Sequence, residues 1–118
     1  MLTSKNVAKL VASFASDKKA ENILVLEMTG VVNFCDYCVV CSGNSTRQVR
    51  AIADGIDEGL LQKNIKIPIK QGLKDSFWII LDMGDVVVHI LEKNSREFYG
   101  LEYLWQEAKQ VNWQGKKK

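Results

Sequence analysis

The most constraining feature of the sequence is a pair of apolar runs separated by two residues. Phe77-Trp78-Ile79-Ile80-Leu81-Asp82-Met83 is followed, after Gly84-Asp85, by Val86-Val87-Val88-His89-Ile90-Leu91. Two such runs around a glycine-containing pair predict an antiparallel hairpin with a II′ turn. The turn then sets the register. Met83 faces Val86, Asp82 faces Val87, Ile80 faces His89 and Trp78 faces Leu91. Because side chains alternate between faces, one face carries Phe77, Ile79, Leu81, Met83, Val86, Val88 and Ile90 and belongs in a core. The other carries Trp78, Ile80, Asp82, Val87, His89 and Leu91. That mixture suits a protein-contact surface with an aromatic anchor. It equally suits a face lying under a helix, with Asp82 and His89 hydrogen-bonded across it.

The remaining segments supply a sheet and its cover. Thr3 or Ser4 can cap a helix to about Asp17, with Val7, Leu10, Val11, Phe14 and Ala15 on one side. Residues 22–28 and 37–41 read as strands apolar on both faces, which calls for cover on both. Ser45 and Gln48 have capping-box spacing. They open a helix whose apolar side is Val49, Ile52, Ala53, Ile56, Leu60 and Leu61 and which Asn64 stops. Gly55 and Gly59 in its interior point to close backbone packing. A short strand around residues 66–69 is marked as an edge by Pro68. Asn94 or Ser95 begins a last helical stretch, interrupted near Gly100 and continued by Leu101, Leu104, Trp105 and Ala108. The order α-β-β-α-β-β-β-α predicts an α/β or α+β domain: a mixed sheet of about five strands flanked by helices. The unit around residues 45–63 should form a right-handed crossover if its strands are parallel neighbours. At 118 residues the chain makes one domain, residues 1–113, with a flexible basic tail at 114–118.

Charge is unevenly spread. The net +2 of the whole chain divides into +3 for residues 1–74, −5 for 75–107 and +4 for 108–118, the last owed mostly to Lys116, Lys117 and Lys118. A phosphate-reading protein needs a basic face on its folded body, and this body is not expected to supply one. The acidic third suits a solvated surface or a dock for a basic partner. No apolar stretch is long enough for a membrane span, the N-terminus lacks signal-peptide character, and three cysteines suit a reducing, cytoplasmic setting.

No site for chemistry can be assembled. Cys35, Cys38 and Cys41 spell C-x-x-C-x-x-C, but an iron–sulfur cluster wants four thiolates, and two strand residues three apart point to opposite faces. Free buried thiols, no metal and no cofactor are the expectation. The Gly43-Asn44-Ser45 turn before a helix could cradle a phosphate with Arg47 nearby. It lacks the Walker and dinucleotide patterns, and neither Asp54/Asp57 nor Asp82/Asp85 makes a two-metal pair. A nucleotide-binding enzyme using that turn, and a dimeric adaptor using the hairpin face, remain alternatives.

Several motifs in order carry a resemblance. They are Asp36-Tyr37-Cys38-Val39-Val40-Cys41-Ser42-Gly43-Asn44-Ser45, Arg47-Gln48-Val49, Ala51-Ile52-Ala53-Asp54, Trp78 through His89, and Arg96-Glu97-Phe98-Tyr99-Gly100-Leu101-Glu102-Tyr103-Leu104-Trp105. Across about Ser4 to Lys109 the chain resembles the ribosomal silencing factor (Iojap-like) family. Lys70-Gln71-Gly72 departs from it, since the family usually has an acidic residue just before that glycine. The resemblance implies a fold related to the nucleotidyltransferase superfamily without its catalytic carboxylates, hence no enzyme. It implies binding to the fourteenth protein of the large ribosomal subunit, a block on small-subunit joining, and repression of translation under nutrient limitation. A weak homodimer is compatible with it; sequence-specific nucleic-acid binding is not expected. Trp78, Asp82, His89, Glu92, Arg96 and Tyr99, gathered by the hairpin and the segment after it, are the expected partner-binding residues.

Overall fold

The computed structural model describes residues 2–114; beyond Gln114 the expected basic tail lies outside the described residues. The elements are α1 (Ser4–Asp17), β1 (Glu21–Glu27), β2 (Tyr37–Gly43), α2 (Thr46–Leu61), β3 (Ile69–Gln71), β4 (Trp78–Asp82), β5 (Val86–Glu92), α3 (Lys93–Tyr99), α4 (Leu101–Leu104) and β6 (Lys109–Gln110). The strands form one mixed sheet in the order β3-β4-β5-β2-β1-β6. Only β2 and β5 run parallel as neighbours. Six strands replace the expected five, because two residues after α4 return to pair with β1. The short strand is an edge, as Pro68 indicated, but begins after the proline, at Ile69.

The hairpin register is the expected one, with Trp78 opposite Leu91, Ile80 opposite His89 and Asp82 opposite Val87. Its turn is tighter than a II′ turn. Gly84 takes φ +86°, and the Asp85 N–H donates to the Met83 carbonyl at 3.1 Å. The Asp82 carboxylate accepts the Gly84 N–H at 2.8 Å. Ile79, Leu81, Val88 and Ile90 are buried, whereas Phe77 lies before the strand and is 54% exposed.

Alternation along the central strands feeds two apolar layers. Val25, Val39, Cys41, Ile79, Val88 and Ile90 pack with α1 and α2. Leu26, Cys38, Val40, Val87 and Leu91 pack under Met28, Cys35, Leu101 and Trp105. The second hairpin face is therefore covered in part by α4 and by the loop after β1. β3 runs parallel to β2, but β5 and β4 lie between them; α2 thus spans two strands rather than joining neighbours.

Helix α1 is capped by Thr3, whose hydroxyl accepts the Asn6 N–H at 3.2 Å. Ser45 caps α2 through the Gln48 N–H at 3.1 Å. The reciprocal bond of the box falls one residue early: the Gln48 Oε1 accepts from the Asn44 N–H at 2.7 Å. Leu61, expected on the apolar side of α2, is 49% exposed because the helix ends there. Asn64 follows in the left-handed region at φ +63°. Helices α1 and α2 meet at the two glycines. A Cβ at Gly59 would stand 2.7 Å from the Phe14 ring, and one at Gly55 2.7 Å from the Lys18 side chain.

That contact generates a prediction. Gly59→Ala gains about 1 kcal/mol of helix propensity, but overpacking against an aromatic ring costs about 1–3 kcal/mol. Urea unfolding should show net destabilisation, relieved when Phe14→Leu is added. A stabilised single variant would mean that the helices do not meet there.

Candidate functional site: an aromatic face beside the hairpin

The sheet's second face ends in a run of rings. The Trp78 Nε1–H donates to His89 Nδ1 at 3.1 Å, which puts the remaining imidazole proton on Nε2. Trp78 stacks on Tyr99 with ring centroids 4.6 Å apart, and Tyr99 meets Phe98 edge-on at 5.1 Å. On the inner side His89 faces Trp105 at 5.5 Å. Tilted and edge-to-face pairs at these spacings each contribute about 0.5–1.5 kcal/mol beyond burial. The run passes from a buried end, His89, through half-buried Trp78 to exposed Tyr99 and Phe98; Phe98 is 81% exposed. Tyr103 and Leu104 are also exposed, although Leu104 was expected to continue the buried side.

Gly100 explains this. It caps α3 at φ +58°, so α4 starts in a new direction and the heptad-like spacing from residue 95 to 105 does not describe one continuous helix. Only Leu101 of that stretch's aliphatics is buried. The exposed residues Phe77, Phe98, Tyr103 and Leu104 were missed by sequence reasoning. The available signal was density: Phe-Tyr-Gly-Leu-Glu-Tyr-Leu-Trp holds more large apolar residues than one helix face can bury.

The six expected site residues fall into three environments. Trp78, His89 and Tyr99 stand together in the ring stack, with His89 turned inward. Asp82 sits at the far end of β4 and supports the turn, so the Asp82–His89 hydrogen bond of the covered-face alternative does not form, and Trp78 bonds His89 instead. Glu92 and Arg96 are engaged by the fold. Glu92, rather than Asn94 or Ser95, caps α3, accepting from the Ser95 N–H at 3.1 Å. Arg96 is buried, and its Nη1 donates to the Asn22 carbonyl at 2.6 Å and to Ser42 Oγ at 2.8 Å. Asn22 presents that carbonyl because β1 changes register between Glu21 and Leu24 and Asn22 itself takes φ +52°. Arg96 thereby ties the helix bearing Phe98 and Tyr99 to the ends of β1 and β2.

Burial sets the protonation of this region. Desolvation lowers the His89 pKa to about 4, more than the nearby Asp82 charge can raise it. Burial likewise pushes the Cys38 thiol up and Cys41 to about 12, while Cys35 is raised by burial and then by Asp36 and Asp82. Protonated buried thiols are poor nucleophiles and poor ligands, and Cys38 and Cys41 lie in different layers. Among the described residues no three His, Cys, Asp or Glu side chains gather as a metal site.

The phosphate-cradle candidate is filled by the protein itself. At the α2 N-terminus Gln48 and Ser45 take up backbone donors, and Gln48 Nε2 donates to the Lys19 carbonyl at 3.0 Å. Gly43 is required by the neighbouring helix: a Cβ there would lie 3.0 Å from the Val49 nitrogen.

The fold is a covered-sheet α+β domain seen in solved bacterial structures. It is similar to a crystal structure from Chromobacterium violaceum, with a TM-score of 0.85 and 28% identity over 89% of this chain and 88% of that one. A Bacillus halodurans structure gives 0.80 and 35% over 92% and 98%. The family model described as "Ribosomal silencing factor during starvation" matches residues 1–118. Relatives named ribosomal silencing factor are 39% identical in Bacillus subtilis, covering 91% of each chain, and 35% in Halalkalibacterium halodurans, covering 97% of each. The chain belongs to the ribosomal silencing factor family.

Two predictions follow from the ring stack and its support. The native state holds His89 neutral down to about pH 4, whereas the unfolded chain binds its proton near 6.5. Between those values the unfolded state binds more protons, so His89's contribution to stability is complete above the upper value. It falls with pH by at most about 1.4 kcal/mol per unit. Urea titrations should show a shallower acid loss for His89→Gln than for the parent; parallel curves would place His89 in water. Arg96→Met should destabilise by about 3 kcal/mol, because buried acceptors lose a charged donor, with Ser42→Ala far milder.

Proposed function

We propose that this protein binds the large ribosomal subunit through its fourteenth protein, at the surface where the small subunit joins. There it represses translation in the cytoplasm under nutrient limitation by occupying space. The observation that carries this reading is the exposed aromatic face formed by Phe98 and Tyr99 beside Trp78. Monomeric soluble proteins rarely leave such residues clustered without a partner, and aromatic anchors dominate interface energetics. The face belongs to the acidic segment 75–107, so electrostatic steering towards a basic ribosomal protein and aromatic anchoring would act in one place. Family membership supports a ribosome as the partner.

Of the expected contact residues, Tyr99 and the outer edge of Trp78 are those a partner can reach. His89, Glu92 and Arg96 act through them by holding the rings and α3, and Asp82 contributes charge beside the turn. A body of 33 × 32 × 32 Å, seated on the joining face, would keep the subunits apart without turnover. The self-filled turn at Gly43–Ser45 gives the nucleotide-binding enzyme reading no comparable support. Weak self-association through the same aromatic face is compatible with the reading and would compete with ribosome binding.

The test is light scattering of subunit association at graded protein-to-ribosome ratios. Inhibition should saturate near one copy per large subunit and weaken as salt screens steering. Phe98→Ala and Tyr99→Ala, which leave the Trp78–His89 bond in place, should each weaken large-subunit binding about tenfold or more, or about 1.4 kcal/mol. Trp78→Ala should cost at least as much, with a stability loss as well. Inhibition by a small fraction of a copy, or inhibition that requires nucleotide, would overturn the reading.

A further inference from the structure

The Trp78–His89 hydrogen bond carries a constraint set by the chemistry of the imidazole. A neutral imidazole has one N–H and one lone pair in the ring plane. In His89 the lone pair is on Nδ1 and accepts the Trp78 indole N–H at 3.1 Å. The ring's own proton is therefore on Nε2, and any further proton must go to Nδ1. His89 can carry a charge or hold Trp78, but not both. An imidazolium would turn an N–H towards the indole N–H, and two donors so close repel. Trp105 stands on the inner side of the imidazole, with ring centroids 5.5 Å apart. His89 is buried there, whereas Trp78 is half-buried, so Trp78 is the ring with room to move.

Movement of Trp78 reaches the surface. Among the described residues Tyr99 meets one inner ring, that of Trp78 at 4.6 Å, and Phe98 meets Tyr99 at 5.1 Å. Both outer residues are more than half exposed, so little else fixes how their rings lie. Arg96 holds α3 to β1 and β2 separately. Loss of the indole bond therefore loosens the rings and leaves the helix in place.

Among the described residues few groups facing His89 can answer a charge on it. β4 contributes the Asp82 carboxylate, which favours the proton but is outweighed by burial. β2 contributes Cys38 to the same layer and the loop before it Cys35, both thiols raised by burial and hence neutral in acid. α3 contributes the Tyr99 phenol on the far side of Trp78, and the segment after α4 contributes the uncharged Trp105. Native His89 accordingly takes its proton only near pH 4, which keeps the bond closed at neutral pH.

We propose that the Trp78–His89 bond is a proton-released latch on the exposed rings: neutral His89 fixes Trp78 beneath Tyr99, and protonated His89 sets Trp78 and the outer rings loose while the sheet and helices stay folded. The latch is a property of the chain alone. Its use as a control on docking rests on the ribosome reading: a partner that needs the fixed rings and a proton on His89 exclude one another by linkage.

The test uses the full chain labelled with nitrogen-15, followed by NMR from neutral pH down to about pH 3.5, with far-UV circular dichroism on the same samples. The Trp78 indole resonance, identified by its loss in Trp78→Phe, should shift with the midpoint of the His89 ring titration. The Tyr99 and Phe98 ring resonances should move with it, before any change in circular dichroism. His89→Gln, whose side-chain oxygen accepts the indole N–H at every pH, should abolish the step. An indole resonance unmoved through the His89 titration would overturn the latch. So would a shift that coincides with global unfolding, or a step that persists in His89→Gln. At neutral pH His89→Phe, a ring without an acceptor, should weaken large-subunit binding about tenfold, and His89→Gln should recover most of the loss. If Phe98→Ala and Tyr99→Ala weaken that binding but His89→Phe does not, the control fails and the contact face stands. If none of the three does while the acid step is seen, the contact face fails and the latch stands.

Discussion

The parallel pairing of β2 with β5 is the contact on which the other layers rest. Each strand lies inside the sheet, and residues 38–43 and 86–91 are buried along their whole length. Strands without a wet face must be covered twice, and the chain supplies two unlike covers. On one side α1 and α2 close over valine, isoleucine and alanine, with Gly55 and Gly59 admitting Lys18 and Phe14. On the other, a loop, α4 and a few rings do the work of a helical layer. The second cover is thinner, and its aromatic residues are left partly outside.

That asymmetry explains why the contact face is where it is. A short α3 cannot seat itself by apolar area alone, so a buried guanidinium supplies the attachment. Arg96 reaches through the layer to a carbonyl offered by the irregular start of β1 and to a hydroxyl on β2. A charge taken out of water is tolerated only with acceptors well placed around it, and the irregularity at Asn22 provides one. The distortion of an edge of the sheet and the orientation of Phe98 and Tyr99 are therefore one structural arrangement.

Much of this was legible in the sequence where a short period governs the outcome. The hairpin register followed from alternation and a two-residue break, and the breaks at Gly100 and Asn64 followed from residues that tolerate positive φ. Close approach at Gly55 and Gly59 was readable from two glycines in a helix interior. The misses share a different cause. β6 is two residues long and exists because tertiary packing brings it beside β1. Glu92 could not be read as a cap because it is also the last residue of a strand. Arg96 read as a surface cation, since its acceptors lie more than fifty residues earlier. The candidate site was half legible for the same reason: the sequence located its segment, but which rings face outward depended on the turn in direction at Gly100.

Cys38 and Cys41 give the sheet an unusual internal marking. They are three residues apart on β2, yet one sulfur lies beneath α4 and the loop, and the other beneath α1 and α2. While both covers are closed, neither thiol is accessible to alkylating agents or peroxides. When a cover lifts, only the sulfur beneath it becomes reactive. A single strand thus carries two separate time-stamps of breathing, and the order in which they are modified distinguishes loosening of the aromatic side from opening of the helical core.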